Sequence, residues 1–488
     1  MLRLYLAEWK KLWKSKLTLI MILFISGFTI VTNYQNYHQK LEHFSINSDG
    51  ADWTYQDQNG KAVDSGLDYL KFADQLQDEF KGEINQTLID RYITYFEDIE
   101  ASYPRTELDE DYMKLTYGDD YEAFLKKAAN GEYTMDQLFQ ELKNRNLTGS
   151  FHDNENSEKY YFTLFYKEDR VLSLYQKAMF GYEEFLSNDP ETILDGYYLD
   201  GTAASQANAK FCNIKKAEQT SIQESTMISM SDDRDQELLM KLASYHVDNE
   251  YGSVVGNNLF AKAMEYINVI VLVVIALLLS NSFSQEVSTK ADQIIVCSKY
   301  GNTRTTIAKL LCGISLAIGV VLLQYLIIFI MSWMYVPLGN LNLIAHSQAD
   351  VYVSQVSFYF FTYKEIFGSM IIVQLTAASA TACLTMMLSY VTKNRFACVS
   401  VIVLFLLGSK FYFLMYPAKV GILTYLNPAT MMDRLSFFDL SYSRLPYLKI
   451  GSSIIPWRYL TVGIWMIGMG IISMFMYHKS KQHLVHIK

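Results

Sequence analysis

The chain is short of nearly everything that local chemistry needs. It has 5 cysteines and 8 histidines in 488 residues, the cysteines scattered as Cys212, Cys297, Cys312, Cys383 and Cys398, with no CxxC and no zinc-type pairing of Cys with His. No Walker A pattern, no GxSxG and no HExxH occurs. The usual local signatures of nucleotide, ester, peptide and metal chemistry are missing, so the chain reads as a non-enzyme with no catalytic residue, no metal site and no cofactor of its own. Only Cys212 falls in the long polar stretch, which therefore cannot close a disulfide within itself and must be held by a packed core.

Outside that stretch, acid is scarce. Residues 36–262 hold 21 Lys/Arg against 43 Asp/Glu, whereas the remainder holds 21 against 8. Two such parts face different surroundings. Half of the chain is apolar, and the apolar residues come in blocks of bilayer-spanning length. The expected fold class is an α-helical polytopic membrane protein, with six transmembrane helices plus a mainly α extracellular domain that carries a small β element.

Residues 1–16, MLRLYLAEWKKLWKSK, set Leu2, Leu6, Trp9 and Trp13 along one face with Lys10, Lys11, Lys14 and Lys16 near the polar side. This reads as an interfacial helix, with Trp9, Lys10, Lys11 and Trp13 as its membrane-interface residues. Residues 17–34 are just long enough to span as an uncleaved anchor, and the lysines before them put the N-terminus inside. Residues 36–262 then lie outside. Within them Asn59-Gly60 predicts a two-residue hairpin turn in WTYQDQNGKAV. Leu67 to Ile99 recurs at helical spacing up to Pro104, and further helical patterns cover Tyr121–Ala129, Met135–Leu142, Tyr160–Leu186 and Gln236–Tyr245, with loops at 147–157 and 187–207.

The later spans are expected at 264–283, 306–336, 366–391, 396–416 and 457–477. Lys393 and Arg395, the lysines of the tail at 478–488 and the N-terminal lysines together put three polar ends on the cytoplasmic side. The segment at about 419–456 departs from that charge rule and is read as re-entrant, with short helices dipping into the bilayer. In the bundle Gln324, Gln374, Thr376, Ser379 and Thr381 line either a substrate path or, as small and hydroxyl residues do, close helix packing. Gly463, Gly468 and Gly470 read as packing glycines, and no ionisable residue stands deep in a span.

The loop at 284–305 between the second and third spans carries Glu286, Lys290, Asp292 and Lys299 around an apolar face of Ala291, Ile294 and Ile295, then a basic restart at Arg304. That order predicts a short amphipathic helix across a membrane mouth, able to register on a partner.

The basic N-terminal helix, six spans, Glu286 just inside the second span, the apolar Ile294 to Val296 run, Ser298-Lys299-Tyr300-Gly301 and then Lys309 resemble the permease of an ABC type 2 exporter. The resemblance covers residues 1–35 and about 260–480. It implies that the first helix is the elbow, that 284–305 is the coupling helix, and that Asn427-Pro428-Ala429 belongs to the family's re-entrant segment. It further implies a bacterial cell membrane location with both termini cytoplasmic. The implied partners are cytosolic ABC ATPase subunits, which would hold ATP and Mg, and a second permease copy or homologue, with the lipid bilayer and no nucleic acid. A peptide or other hydrophobic or amphipathic substrate is expected. The long insert departs from the compact members of the family. It keeps open an ATPase-driven mechanotransmitter, or a membrane-anchored sensor or scaffold without an ATPase.

Overall fold

A long apolar run in lipid can satisfy its backbone only as a helix. The computed structural model of the protein describes residues 2–38, 55–57, 59–63, 66–130, 132–145, 166–180, 250–265, 269–290, 301–343, 362–415, 426–432, 447–450 and 453–485. Helix α1 (Leu2–Lys14) ends at Ser15, whose extended backbone at φ −72° and ψ 117° separates it from α2 (Lys16–Tyr37). The insert comprises β1 (Tyr55–Gln56), β2 (Ala62–Val63), α3 (Gly66–Glu79), β3 (Gly82–Glu83), α4 (Gln86–Ser102), α5 (Glu110–Tyr117), α6 (Tyr121–Ala129), α7 (Met135–Asn144), α8 (Asp169–Phe180) and β4 (Glu250–Tyr251). There follow α9 (Val255–Glu265), α10 (Val269–Leu279), α11 (Asn281–Ser288), α12 (Gly301–Tyr335), α13 (Tyr363–Thr392), α14 (Arg395–Met415) and the single turn α15 (Pro428–Met431). The hairpin of β5 (Tyr447–Ile450) and β6 (Ser453–Pro456) and the last helix α16 (Trp457–Val485) close the chain.

Among the described residues, five stretches are long and apolar enough to cross a membrane: Lys16–Gln35, Val269–Ser288, Thr303–Tyr335, Tyr363–Thr392 and Tyr459–Lys481. The protein is thus a helical, multi-pass membrane protein. Helix α14 contributes a shorter apolar helix, Arg395–Gly408. Three expected limits move. The second span runs on to Ser288 rather than stopping at 283, the third starts at Gly301, and the last helix takes in 478–485, expected as tail. The segment at 419–456, expected as re-entrant with short helices, holds one buried helical turn and the β5–β6 hairpin among its described residues.

Helix α13 is the centre of the bundle, buried from Tyr363 to Ser389 and packed by α10, α11, α12, α14, α15 and α16. Its start is fixed by a capping box: Thr362 Oγ1 accepts from the Glu365 N–H, and the Glu365 carboxylate accepts from the Thr362 N–H. Thr376, Ser379 and Thr381 each donate to the carbonyl four residues earlier, at 2.8–2.9 Å. Their hydroxyl protons are thus taken up within their own helix. The close approach itself is at Gly313, where a Cβ would stand 2.3 Å from Met386 Sδ. Gly463 and Gly470, expected to pack, face open space instead, and only Gly468 has a neighbour, Trp465 of its own helix.

Contacts along the helices give their directions. Tyr5 meets Ser315, Thr29 meets Gln324 and Tyr37 stacks on Tyr335, so α2 and α12 run parallel. Tyr325 meets Gln374 and Gly313 faces Met386, so α12 and α13 run antiparallel. Ser280 with Ser389 and Asn258 with Tyr363 make the second span parallel to α13. Hence Lys11, Glu286, Lys309 and the Thr392–Arg395 turn share one end of the bundle, and the insert sits at the other.

The insert has its own core, in which α3, α4 and α8 bury Leu76, Phe80, Leu88, Tyr92, Phe96, Tyr175 and Met179. The single helical run expected from Leu67 to Ile99 is two helices, parted by β3, which pairs with β4. The hairpin forms, but its turn is longer than Asn59-Gly60 alone. The Asp57 carboxylate accepts from the Asn59 and Lys61 N–H groups, and Gly60 takes the left-handed φ of 74° that a glycine tolerates. Helix α6 matches its expected limits, α7 continues to Asn144, and α8 covers Asp169–Phe180 of the expected 160–186, after Tyr166, which bridges Leu108; 160–165 and 181–186 lie outside the described residues. Helix α5 was not expected, and the patterns at 147–157, 187–207 and 236–245 lie outside the described residues.

The insert meets the bundle backbone to backbone. A Cβ on Gly256 would fall 1.9 Å from Pro337 O, and one on Gly339 would fall 2.2 Å from Ser253 O. Asn257, fully buried between them, accepts from the Gly339 N–H at 3.1 Å and donates to Asn340 O at 3.2 Å.

Candidate coupling end of the bundle

At the end opposite the insert, three elements are tied by charge. The Lys309 ammonium, on the first turns of α12, is buried against the Glu286 carboxylate of α11. It also donates to Ser282 O at 2.7 Å and stands 4.6 Å from the centre of the Phe283 ring. Lys11 of α1 reaches the same Glu286 oxygen at 3.4 Å. Their side-chain exposures, 2% for Lys309, 12% for Glu286 and 47% for Lys11, rank the two contacts. The inner pair is desolvated and holds the helices in register, while the outer one is screened by water and contributes little by itself. A lone ammonium here would be costly, and the carboxylate, the carbonyl and the ring face offset that cost together.

The local sequence explains the placement. Helix α11 continues the second span, so Phe283 and Glu286 lie one turn apart on the face toward α12. Starting α12 at Gly301 puts Lys309 two turns into that helix, with Arg304 exposed at its first turns. Helix α1 lies against both. Tyr5 OH is 2.9 Å from Ser315 Oγ, Trp9 and Leu12 pack on the bundle, and the Trp9 and Trp13 rings stack at 6.2 Å. Leu2, Leu6 and Trp13 are turned outward, at 70%, 55% and 52% exposure, with Lys10 exposed beside them. The apolar face expected from Leu2, Leu6, Trp9 and Trp13 is thus divided: Trp9 faces protein and the other three face away.

A cavity of about 70 Å³ opens where α1, α2, α11 and α12 meet, lined by Glu8, Lys11, Thr18, Gln285, Lys309 and Cys312 among others. Of the loop residues singled out in the sequence, the structure brings Glu286 into the junction and leaves Lys290 exposed at a left-handed φ of 56°. Asp292, Ile294, Ile295 and Lys299 lie outside the described residues, and with them the amphipathic helix expected there. Lys309 is the residue whose part the sequence hid. It is buried, yet it stands near the mouth of the third span rather than deep within it, so the expectation that no ionisable residue stands deep in a span is not at odds with it. The signal available was its pairing with Glu286 across the loop, two opposite charges flanking one membrane mouth.

Deeper in the bundle, Gln374 links three elements. Tyr325 OH bonds its carbonyl oxygen, and its amide donates to Met432 O at 3.3 Å, fastening the buried turn α15 to α12 and α13. Asn427 caps that turn and donates to Phe405 O at 2.9 Å, while Trp465 donates to Leu426 O at 2.7 Å. Gln324 instead faces α2, where its carbonyl accepts from Thr29 Oγ1 at 2.6 Å. No family model, no curated protein and no solved structure matches the chain.

Proposed function

We propose that the chain is a transmembrane permease subunit of a bacterial ABC exporter, six-spanning, with its insert outside and both termini in the cytoplasm. A separate cytosolic ATPase would supply the energy, pressing on the 284–305 loop, and a second permease copy or homologue would complete the pore. The observation that carries the reading is the buried Glu286–Lys309 pair, through which a push on the loop reaches α12, on which the N-terminal helix packs at Tyr5–Ser315. The basic residues at that end, Lys10, Lys11, Lys290, Lys393 and Arg395, agree with a cytoplasmic face. The cargo favoured is a peptide or another hydrophobic or amphipathic molecule.

The test is co-purification. Ile294→Asp and Ile295→Asp should abolish recovery of an ATPase subunit with the tagged chain while leaving its membrane yield intact. Unchanged recovery would overturn the coupling role of the loop. A second reading, a mechanotransmitter that moves the insert and passes no cargo, is favoured by the rigid Gly256–Pro337 and Gly339–Ser253 joint. Uptake of labelled peptide into inverted vesicles separates the two, since the exporter accumulates it and the mechanotransmitter does not.

A further inference from the structure

The first span hides polar groups and shows apolar ones. Leu19, Ile20, Leu23, Phe24, Ile30 and Val31 are exposed, whereas Thr18, Ile25, Thr29, Asn33 and Tyr37 are buried, a stripe at helical spacing that is polar at four of five positions. Part of this stripe faces α12. Thr29 Oγ1 donates to Gln324 Oε1, and Asn33 Nδ2 donates to Thr29 O at 2.8 Å. The other atom of each amide, Gln324 Nε2 and Asn33 Oδ1, is sealed and has no protein partner, although both residues are fully buried. Exchanging O and N within either amide leaves one of its two atoms unmatched all the same. Ser26 Oγ, one turn before, is also buried without a partner.

We infer that the seam between α2 and α12 is a hydrated track for small neutral hydrogen-bonding groups, with water its resident ligand, entered from the Lys309 end. Buried amides in lipid need partners, and a donor and an acceptor on facing positions of two helices suit a neutral group that both gives and takes a hydrogen bond. Water has this chemistry. The two ends differ in the way such a track requires. Thr18, on the same stripe of α2, lines the open cavity beside Lys11 and Lys309. Beyond Asn33 the Tyr37 and Tyr335 rings stack at 4.8 Å and close the seam toward the insert. The inference does not depend on the exporter reading, because it concerns only how two spans of this chain pack.

Thiol reactivity tests it, since maleimides attack the thiolate, which forms only where water reaches. In a full-length chain whose five cysteines are replaced by serine or alanine, Cys is placed at Ser26, Asn33 or Gln324. Controls carry it at Ile275 of α10, buried and apolar, or Leu23, facing lipid. N-ethylmaleimide should label the three seam positions at least about tenfold faster than both controls. Equal rates overturn the inference. The unmodified chain in lipid nanodiscs gives a second measurement through radiolytic hydroxyl-radical footprinting. Normalised for intrinsic side-chain reactivity, oxidation at Thr29 and Asn33 should exceed that at Val271, Leu272 and Ile275, which are equally buried but apolar; equal oxidation of the two sets overturns the inference as well.

Discussion

Lys309 and Glu286 are worth more as a pair than either is alone. Removing one leaves the other buried with its charge uncompensated, which costs about 3–5 kcal/mol, whereas replacing both with apolar or neutral groups of similar size is often neutral. Lys309→Met and Glu286→Gln should each lower the unfolding temperature in detergent, and the double variant should recover most of the loss. Strict additivity would refute the pairing. In the insert, Asp169 bonds Arg105 at 2.6 Å and accepts from the Tyr166 N–H, yet burial outweighs both and raises its carboxyl above the ordinary value. The folded chain therefore keeps this proton to higher pH than the unfolded chain does. Its contribution is full below the unfolded value of about 3.9 and is lost as pH rises through the folded one. Against Asp169→Asn, the parent should gain relative stability as pH falls across that window in thermal melts; a flat difference would show that burial does not govern the group.

Among the elements, α12 is the one that reaches both ends. Its 35 residues span about 52 Å at 1.5 Å per residue, of which about 39 Å separates Lys309 from Tyr335, next to the Pro337–Gly339 joint. The joint has no slack, because both glycines touch backbone rather than movable side chains. Gly256→Ala and Gly339→Ala should each cost about 1–3 kcal/mol through forced backbone displacement, read as a lower melting temperature and faster proteolysis of the insert. Gly470→Ala, facing open space in α16, is the neutral control. Elements of this kind were partly legible in sequence. The spans announced themselves by length and hydropathy. The β3 break between α3 and α4 was not legible, because its partner β4 lies far away in the chain and helical spacing continues across it.

For the whole molecule, the polarity of the two ends is the testable claim. If the Lys11–Lys309 end is cytoplasmic, cysteine placed at Lys393 should react with an impermeant maleimide only after cells are opened, and cysteine at Asn59 should react on intact cells. The reverse pattern would invert the topology and remove the ATPase face with it. Composition alone established a membrane protein with an acidic, disulfide-free insert, since hydropathy and charge act through sums over many residues and need no partner to be counted. It also marked Glu286 and Gln374 as residues to watch. Only the tertiary structure decided what they do, bringing Glu286 onto a buried Lys309, Gln374 onto the α15 turn, and Gln324 onto a polar stripe of the first span. The reason is physical: the meaning of a polar group in lipid lies in the partner that satisfies it, and that partner stands on another helix.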